Sequence, residues 1–451
     1  NTSIHNSSPK LKQGLFVRFL IMSKSSQTSS ISLLSGDYQG RFIDVSFSTE
    51  KSEGSSAENV HSILVLIEDR LFSLRIQEKI KLSKGALISF EVTEEGVVEN
   101  VKIEKSAVNF DVEGDMLRWR RPANNPSRME LLRTRHQIIL GIREWFDQQN
   151  FIETETPALV FAPSPETQFV PMKTDSGFLI TSPEFQMKRL LVGGFEKIFQ
   201  LARCFRNAES GPLHNPEFTM LEWYRTHEPL EMLMKDIEQL VMHLRETVSA
   251  EYFSKHIPVP PWPRKTVSEL FKEHLDIFLD GTETVVQLRK KAQLAGYDKL
   301  LVDTSVSNLT DSLAYEQIFF QLWNHVEAKL VVSSPVFVHD WPLHLASLAR
   351  QSPEHPGFAE RVEFYADGME LANGFRELTD ASEQRRRFKQ DMKNRESEGR
   401  EAVPLDEKFL SCLEQGLPES SGMALGVDRL IMWLCGAQNI REVLCFSQGE
   451  V

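Results

Sequence analysis

The stretch that most constrains this chain is residues 201–224, LARCFRNAESGPLHNPEFTMLEWY. Two strand-like runs, LARCFRN and EFTMLEWY, flank a polar segment whose glycine, prolines and asparagine are typical of a turn. Alternation along the second run places Phe218, Met220, Glu222 and Tyr224 on one face of a strand. A carboxylate and a phenol on an apolar face need polar partners, because burying an unpaired charge is expensive. The stretch alone predicts either a functional site or a surface hairpin with an ion pair.

Three stretches of the chain resemble the ordered motifs of one enzyme superfamily. HNPEFTMLEWY after FRN is similar to motif 2 of class II lysyl-tRNA synthetases, SGMALGVDRLIMWLCG at 421–436 resembles motif 3, and FIETETPAL at 151–159 resembles motif 1. Within that superfamily, TSPEFQMKRLLVGG, PVFVHDWPLHLASLA and GMELANGFRELTDASEQRRRF are most similar to the elongation factor P–(R)-β-lysine ligases, which modify a protein instead of a tRNA. The resemblance covers residues 120–451, approximately.

The fold expected from this resemblance is α+β, with a six- or seven-stranded, mostly antiparallel class II synthetase sheet flanked by helices. Upstream, five short β-rich runs between residues 38 and 110 are separated by acidic, glycine-rich or serine-rich breaks, which predicts a small OB-like β-barrel. We therefore expect a disordered leader at 1–36, the barrel at 37–113 and a catalytic domain at 114–451. The β-lysine ligases lack such a barrel, whereas lysyl-tRNA synthetases carry one, so tRNA binding by this domain stays open. The alternative is a small domain with a purely structural packing role.

Composition bears on the partners and the location of the protein. The formal net charge is −13, whereas a nucleic-acid binder usually has a basic surface, which disfavours tRNA without closing that alternative. The four cysteines show no CxxC spacing, which suits reduced thiols in a cytoplasmic protein. The sequence contains no run of 18 or more apolar residues, so we expect no membrane span. The resemblance of motif 1 implies a homodimer formed through residues 128–165.

Activation of an amino acid is an in-line attack of its carboxylate on the α-phosphate of ATP, so catalysis depends on positioning and on charge neutralisation. By resemblance, Arg206 and Arg429 are the catalytic phosphate ligands, a role that suits a guanidinium group because it binds two oxygens at once. Either arginine on its own could equally form a surface ion pair. Besides these two, the resemblance implies ATP contacts at Asn207, His214, Asn215, Glu370, Leu371 and Gly426.

Glu363 and Glu370 are the predicted ligands of Mg²⁺. Asp367-Gly368 between two apolar runs predicts a two-residue hairpin turn that pairs Tyr365 with Glu370 and leaves Glu363 on the same face. Like charges placed as diagonal neighbours repel, so we expect a cation between them. Carboxylate oxygens together with a triphosphate suit Mg²⁺, and the resemblance assigns the same pair. Two exposed sheet carboxylates are the alternative.

The resemblance also assigns the pocket for the amino acid. Glu377 together with Tyr224 is expected to bind the ε-ammonium group of the substrate. Glu184, helped by Glu222, is expected to bind the other amino group, so that two cationic groups meet separate carboxylates. Strict alternation along the strand would turn Glu377 away from this face, and a bulge at Asn373–Gly374 would restore it.

Two small residues are expected to separate (R)-β-lysine from α-lysine. Ser182 and Ala424 stand where lysyl-tRNA synthetases usually show alanine and glycine, and both match the ligase family. One small group in a pocket changes selectivity by about 1–3 kcal/mol. The prediction is therefore a preference for (R)-β-lysine.

The sequence departs from the family in the motif 2 loop. Ala208 replaces the glutamate that normally binds the adenine amino group, although Glu209 follows it directly. The predicted activity is that of an ATP-dependent ligase that adenylates (R)-β-lysine and transfers it to a lysine of elongation factor P. The alternatives are a lysyl-tRNA synthetase that charges tRNA with α-lysine, or a non-catalytic synthetase-like binding protein.

Overall fold

The computed structural model describes residues 36–48, 60–67, 70–76, 86–94, 97–105, 128–207, 210–249, 253, 257–301, 309–330, 334–346 and 348–450. These residues form two compact units, divided between Met129 and Glu130. The predicted leader lies outside the described residues except for Gly36, and so does the stretch 106–127 that contains one predicted domain limit. The predicted domain limits therefore stay predictions.

The first unit contains the strands β1 Gly36–Ser48, β2 Val60–Ile67, β3 Arg70–Ile76, β4 Leu87–Val92 and β5 Val97–Lys105. They close into a barrel in the order β1-β2-β3-β5-β4. Strand β1 completes the ring because its first half pairs with β4 and its second half pairs with β2. Alternate residues of β4, namely Ile88, Phe90 and Val92, are buried, as expected for a strand with one face in a core. The barrel is present, and its OB-like character stays a prediction.

Helices make up much of the second unit. Those described are α1 Arg128–Gln148, α2 Glu184–Val192, α3 Leu230–Thr247, α4 Val267–Leu275, α5 Val285–Leu294, α6 Asp311–Leu330, α7 Ala381–Ser397, α8 Glu407–Glu414 and α9 Val427–Cys435. Local signals set some ends: Thr266 and Glu269 form a capping box at the start of α4, and α9 stops at Gly436, which has φ 68°. Within the described part of the chain, no helix is long and apolar enough to cross a membrane.

The strands of the second unit are β6 Ile152–Glu153, β7 Leu159–Val160, β8 Lys173–Thr174, β9 Gly177–Leu179, β10 Lys197–Phe205, β11 Glu217–Thr226, β12 Arg264–Thr266, β13 Val336–Pro342, β14 Phe358–Ala366, β15 Met369–Arg376 and β16 Ser420–Gly426. Over the described residues, eight of them form one sheet in the order β12-β13-β14-β15-β16-β11-β10-β6. The predicted mostly antiparallel sheet flanked by helices is confirmed, but the predicted count of six or seven strands was wrong. The edge strands β6 and β12 are two and three residues long and pair in parallel with β10 and β13, so no alternation in the sequence signals them.

The two faces of this sheet have different roles. On one face, Phe146 of α1 stacks on Phe199 of β10 with ring centroids 4.5 Å apart and meets Trp223 of β11 edge-on. Each large apolar side chain buried in this way contributes about 1.5–3 kcal/mol. Because strand residues alternate, Glu222 and Tyr224 face away from this helical core, towards the side where the candidate site lies.

Candidate active site

A cavity of about 510 Å³ opens on the sheet face opposite the helical core. Strands β11, β14, β15 and β16 and helix α6 contribute to its walls. The predicted residues that line it are Ser182, Glu184, Arg206, His214, Asn215, Glu363, Glu370, Leu371, Ala424, Gly426 and Arg429. Glu222, Tyr224 and Glu377 are buried next to these residues without lining the cavity, and Asn207 is also absent from the lining.

Pairing across four strands places site residues in one row. Glu363 of β14 pairs with Asn373 of β15, Asn373 pairs with Ala424 of β16, and Ala424 pairs with Glu222 of β11. Directly opposed residues of antiparallel strands lie on the same face, so the row shares the cavity side of the sheet. Three strand spacings separate its ends, or roughly 14 Å. The predicted metal ligands and the predicted amino-acid ligands thus stand at opposite ends of one row.

The hairpin between β14 and β15 forms as predicted. Asp367 has φ 52° and Gly368 has φ 74°, the left-handed conformation that a type I′ turn requires at both central positions. Tyr365 pairs with Glu370, and Glu363 lies two residues before Tyr365 on the same face. Both carboxylates therefore reach the cavity from one hairpin.

A bulge in β15 then brings Glu377 to the cavity face. The pairing register skips Leu371, which lies between Glu370 and Ala372, so Leu371 is the extra residue. Beyond this residue the alternation is shifted by one, which puts Glu370 and Glu377 on the same face. The predicted bulge exists, but its predicted position at Asn373–Gly374 was wrong.

At the Glu363 end of the row, two donors hold the Glu363 carboxylate. Arg361 Nη2 donates to Oε1 and the Tyr365 hydroxyl donates to Oε2, each at 2.5 Å. Burial, reinforced by the nearby Glu370 carboxylate, raises the pKa of Glu363 to about 8, and the same two causes raise the pKa of Glu327 on α6. No group of three metal-ligating side chains forms in the part of the chain that is described. Mg²⁺ needs only one or two carboxylates when phosphates supply the remaining ligands, so the Glu363–Glu370 pair suits it.

The two predicted phosphate ligands differ in what holds them. The guanidinium of Arg206 lies over the ring of Phe169, 3.9 Å from its centroid, and its buried Nε has no hydrogen-bond partner among the described residues. Arg429 donates to the backbone oxygen of Glu370 at 2.8 Å and to that of Leu213 at 3.3 Å. Stacking on Phe169 thus positions Arg206 and leaves its Nε–H donor unused, whereas hydrogen bonds to backbone carbonyls fix Arg429.

Of the other predicted nucleotide contacts, His214 and Gly426 lie at the start of α9, and Asn215 follows His214 in the chain. His214 Nε2 is 2.6 Å from Arg429 Nη2, and both ends of the Asn215 amide bond to backbone atoms. Gly426 is the N-cap of α9, where no side chain caps the helix. A Cβ added at Gly426 would meet protein atoms only at 3.9 Å, so protein packing does not require glycine there. An open helix N-terminus beside a cavity suits an anionic group.

At the other end of the row, two hydroxyls fix Glu222. Ser182 Oγ donates to Oε2 at 2.7 Å, and the Tyr224 hydroxyl donates to Oε1 at 2.5 Å. Ser182 Oγ also accepts from the backbone N–H of Glu184 at 3.1 Å. Burial, reinforced by the Glu184 carboxylate, raises the pKa of Glu222 to about 8. The strand pattern predicted polar partners for Glu222 and Tyr224. These two residues bond to each other, and Ser182 is the second partner of Glu222.

Several site residues were not found from the sequence. Lys188 of α2 contacts both Glu184 and Glu377, and its spacing of four residues from Glu184 on a helix is a signal that could have revealed it. Asn373 lines the cavity with its buried Oδ1 lacking a hydrogen-bond partner within the described chain. Once the bulge is known, the alternation that places Glu377 on the cavity face also places Asn373 there. Glu327 lies on another element, α6, and no local pattern marks it.

Comparison with known proteins places these features in a family. The chain matches the family model of class II tRNA synthetases (D, K and N) over residues 114–450. An elongation factor P–(R)-β-lysine ligase of Edwardsiella ictaluri is 42% identical over 324 residues, covering 69% of this chain and 93% of that protein. The ligase of the same name from Pectobacterium atrosepticum is 42% identical over 323 residues, covering 69% of this chain and 93% of that protein. The one from Proteus mirabilis is 38% identical over 322 residues, covering 69% of this chain and 92% of that protein. The barrel strands lie outside the residues that the family model matches.

Proposed function

We propose that this chain, which belongs to the class II tRNA synthetase family (D, K and N), is an ATP-dependent ligase. Within that family it belongs to the elongation factor P–(R)-β-lysine ligases. It adenylates (R)-β-lysine and transfers the β-lysyl group to a lysine side chain of elongation factor P. The row from Glu363 to Glu222 carries the proposal, because it joins groups suited to metal and phosphate with carboxylates suited to amino groups along one cavity.

In the first step, a carboxylate oxygen of the amino acid attacks the α-phosphate of ATP and pyrophosphate leaves. Arg206 stabilises the charge on the α-phosphate, for which its stacked guanidinium has an unused buried donor. Arg429 holds the γ-phosphate, and its bonds to backbone carbonyls fix it before the nucleotide arrives. Pre-orientation of this kind removes the cost of reorganising the site during reaction.

In this proposal Glu363 and Glu370 would hold Mg²⁺, which would supply charge neutralisation for the phosphates of ATP. The bonds that Arg361 and Tyr365 donate to Glu363 fix the orientation of that carboxylate, as the partners of metal ligands generally do.

The amino acid binds at the opposite end of the row. Glu377 and Tyr224 take the ε-ammonium group, and Glu184 with Glu222 takes the second amino group. These carboxylates are buried or line the cavity, where an ammonium group compensates their desolvation.

Selectivity for (R)-β-lysine rests on two positions in the floor of the pocket. The Ser182 hydroxyl orients Glu222 through the 2.7 Å bond, and the Ala424 methyl lies between Glu222 and Asn373 in the sheet register. A side chain in the floor limits where the amino group nearest the carboxylate can lie.

The nucleotide contacts proposed beyond the arginines are Asn207, His214, Asn215, Leu371 and Gly426. Ala208 and Glu209 lie outside the described residues, so the replacement of the usual adenine-binding glutamate has no structural account.

In the second step, the amine of an acceptor lysine attacks the carbonyl carbon of the adenylate and AMP leaves. The names of the relatives point to elongation factor P as the acceptor. A second candidate function is charging of tRNA with α-lysine, which the N-terminal barrel favours, because lysyl-tRNA synthetases carry a barrel in this position.

We also propose a homodimer formed through residues 128–165, in the cytoplasm. In this region Leu140, Ile152 and Phe161 expose 53%, 54% and 80% of their surface, and burial of this apolar surface against a second copy would favour association. Light scattering at micromolar concentration should give twice the mass of the chain. A fully active monomer would contradict this proposal.

The decisive experiment is ATP–pyrophosphate exchange with (R)-β-lysine and with α-lysine, followed by transfer to elongation factor P or to tRNA. The proposal requires faster exchange with (R)-β-lysine and transfer to protein. Faster exchange with α-lysine together with aminoacylation of tRNA would instead establish a lysyl-tRNA synthetase. If neither amino acid supports exchange, the remaining interpretation is a non-catalytic binding protein.

A further inference from the structure

Lys188 is a buried lysine that bridges two carboxylates of the proposed amino-acid pocket. Its Nζ lies 2.5 Å from Oε1 of Glu184 and 2.5 Å from Oε2 of Glu377. The side chains of Lys188 and Glu377 are each 1% exposed. Lysine and glutamate are almost never buried to this extent unless they are paired. The two ion pairs therefore account for the burial of these charges.

Both carboxylate oxygens of Glu377 are buried without a hydrogen bond among the described residues. Oε2 is nevertheless within ion-pair distance of Lys188, whereas no cation in the described part of the chain pairs with Oε1. Burial lowers the pKa of Lys188, but the two carboxylates outweigh burial and raise it above the ordinary value, so the lysine keeps its charge. Lys188 thus occupies one oxygen of Glu377 and leaves the other open for a further cation.

We propose that Lys188 is a positioning residue that sets the spacing and the net charge of the pocket for a diamino acid. This inference rests on the proposed function. Glu184, Glu222 and Glu377 supply three negative charges when ionised, and Lys188 cancels one of them. The two that are left equal the two ammonium groups of a diamino acid such as (R)-β-lysine.

Two further charged groups act on this cluster from outside it. The Glu166 carboxylate raises the pKa of Glu184, and Arg376, which also pairs with Glu419, lowers the pKa of Glu377. Without Lys188, Glu184 and Glu377 would repel each other, and each would lose the charge that lowers its pKa. Both effects weaken binding of the amino acid and leave the phosphate end of the row, where Arg206 and Arg429 act, unchanged.

The test measures pyrophosphate exchange by Lys188→Met, Lys188→Ala and Lys188→Arg. We expect the KM for (R)-β-lysine to rise roughly 30-fold or more in the neutral variants, as when one member of a buried charge pair is removed, and less in Lys188→Arg. The KM for ATP should not change. The acid limb of kcat/KM should move to higher pH, because the carboxylates that must be ionised have higher pKa values.

Rescue by a small amine separates a charge role from a packing role. Propylammonium replaces the atoms that Lys188→Ala removes, so it should restore exchange, whereas the uncharged propan-1-ol should not. Lys291→Met is a matched control, since Lys291 Nζ lies 2.6 Å from the buried Glu283 and neither residue lines the cavity. It should lower the melting temperature and leave both KM values at the wild-type level.

Several outcomes would overturn the inference. These are a folded Lys188→Met with the wild-type KM for (R)-β-lysine, an equal rise of both KM values, or rescue by propan-1-ol as well as by propylammonium. If the neutral variants do not fold, Lys188→Arg decides: a raised KM for (R)-β-lysine alone supports the inference, and an unchanged KM overturns it. An inactive wild type would instead refute the proposed ligase activity.

Discussion

Replacing Ser182 with alanine removes one of the two hydroxyl donors that fix Glu222. The lost bond is 2.7 Å long, and the accepting residue is only 2% exposed, so water has little access to replace the donor. A hydrogen bond to a charged group contributes about 1.5–3 kcal/mol. We expect kcat/KM for (R)-β-lysine to fall roughly 10- to 150-fold, because this loss appears in binding of the amino acid and of the transition state.

The loss in the Ser182→Ala variant should depend on pH. The Ser182 bond lowers the pKa of Glu222, which burial raises to about 8, so without this bond the pKa of Glu222 rises further. Glu222 must be ionised to bind an ammonium group, and a larger fraction is protonated near neutral pH than in mild alkali. Exchange assays at about pH 7 and about pH 9 should therefore show the larger loss at the lower pH.

A matched control for this experiment is Ser268→Ala. Ser268 Oγ donates to the backbone oxygen of Leu279 at 2.7 Å, is partly buried, and does not line the cavity. This variant should lose a similar hydrogen bond and some thermal stability while keeping wild-type kcat/KM. If Ser182→Ala retains wild-type kcat/KM at both pH values, the hydroxyl does not orient Glu222 for the substrate and the reasoning fails.

Three further predictions concern the same row of residues. Ala424→Gly should relax the preference for (R)-β-lysine over α-lysine by roughly tenfold or more in exchange assays, because it removes a methyl group from the floor of the pocket; an unchanged ratio would exclude that role. Glu363→Gln and Glu370→Gln should each abolish adenylate formation with an unchanged circular dichroism spectrum, and near-normal exchange in either would remove it from the metal site. The pKa of Glu222 is raised from 4.5 to about 8 on folding, so its contribution to stability is present below about pH 4.5 and is lost as the pH rises to about 8. The difference in free energy of unfolding between wild type and Glu222→Gln should therefore fall by about 1.4 kcal/mol per pH unit in this window; denaturant titrations that give a constant difference would contradict it.

The sequence predicts those parts of the site that follow local periodicity. The period of two places Glu222 with Tyr224 and Glu363 with Tyr365, and the Asp367-Gly368 turn sets the pairing of the hairpin. The helical spacing of Lys188 from Glu184 signals that ion pair, but the contact of Lys188 with Glu377 could not be predicted, because the helix must first pack beside the sheet. The same limit applies to Glu327, whose neighbours lie on another element, and to edge strands too short to show a period.

One residue of β15 decides whether the two halves of the site can meet. Strict alternation from Glu370 would turn Asn373 and Glu377 to the helical core, where an unpaired carboxylate is expensive to bury. The extra residue, Leu371, shifts the alternation so that Glu370, proposed to bind the metal, and Glu377, proposed to bind an ammonium group, share a face. Leu371 itself is 2% exposed and belongs to the apolar core, so burial of its side chain stabilises the irregular backbone. The bulge therefore allows one stretch of chain to contribute carboxylates to both the proposed nucleotide end and the proposed amino-acid end of the cavity.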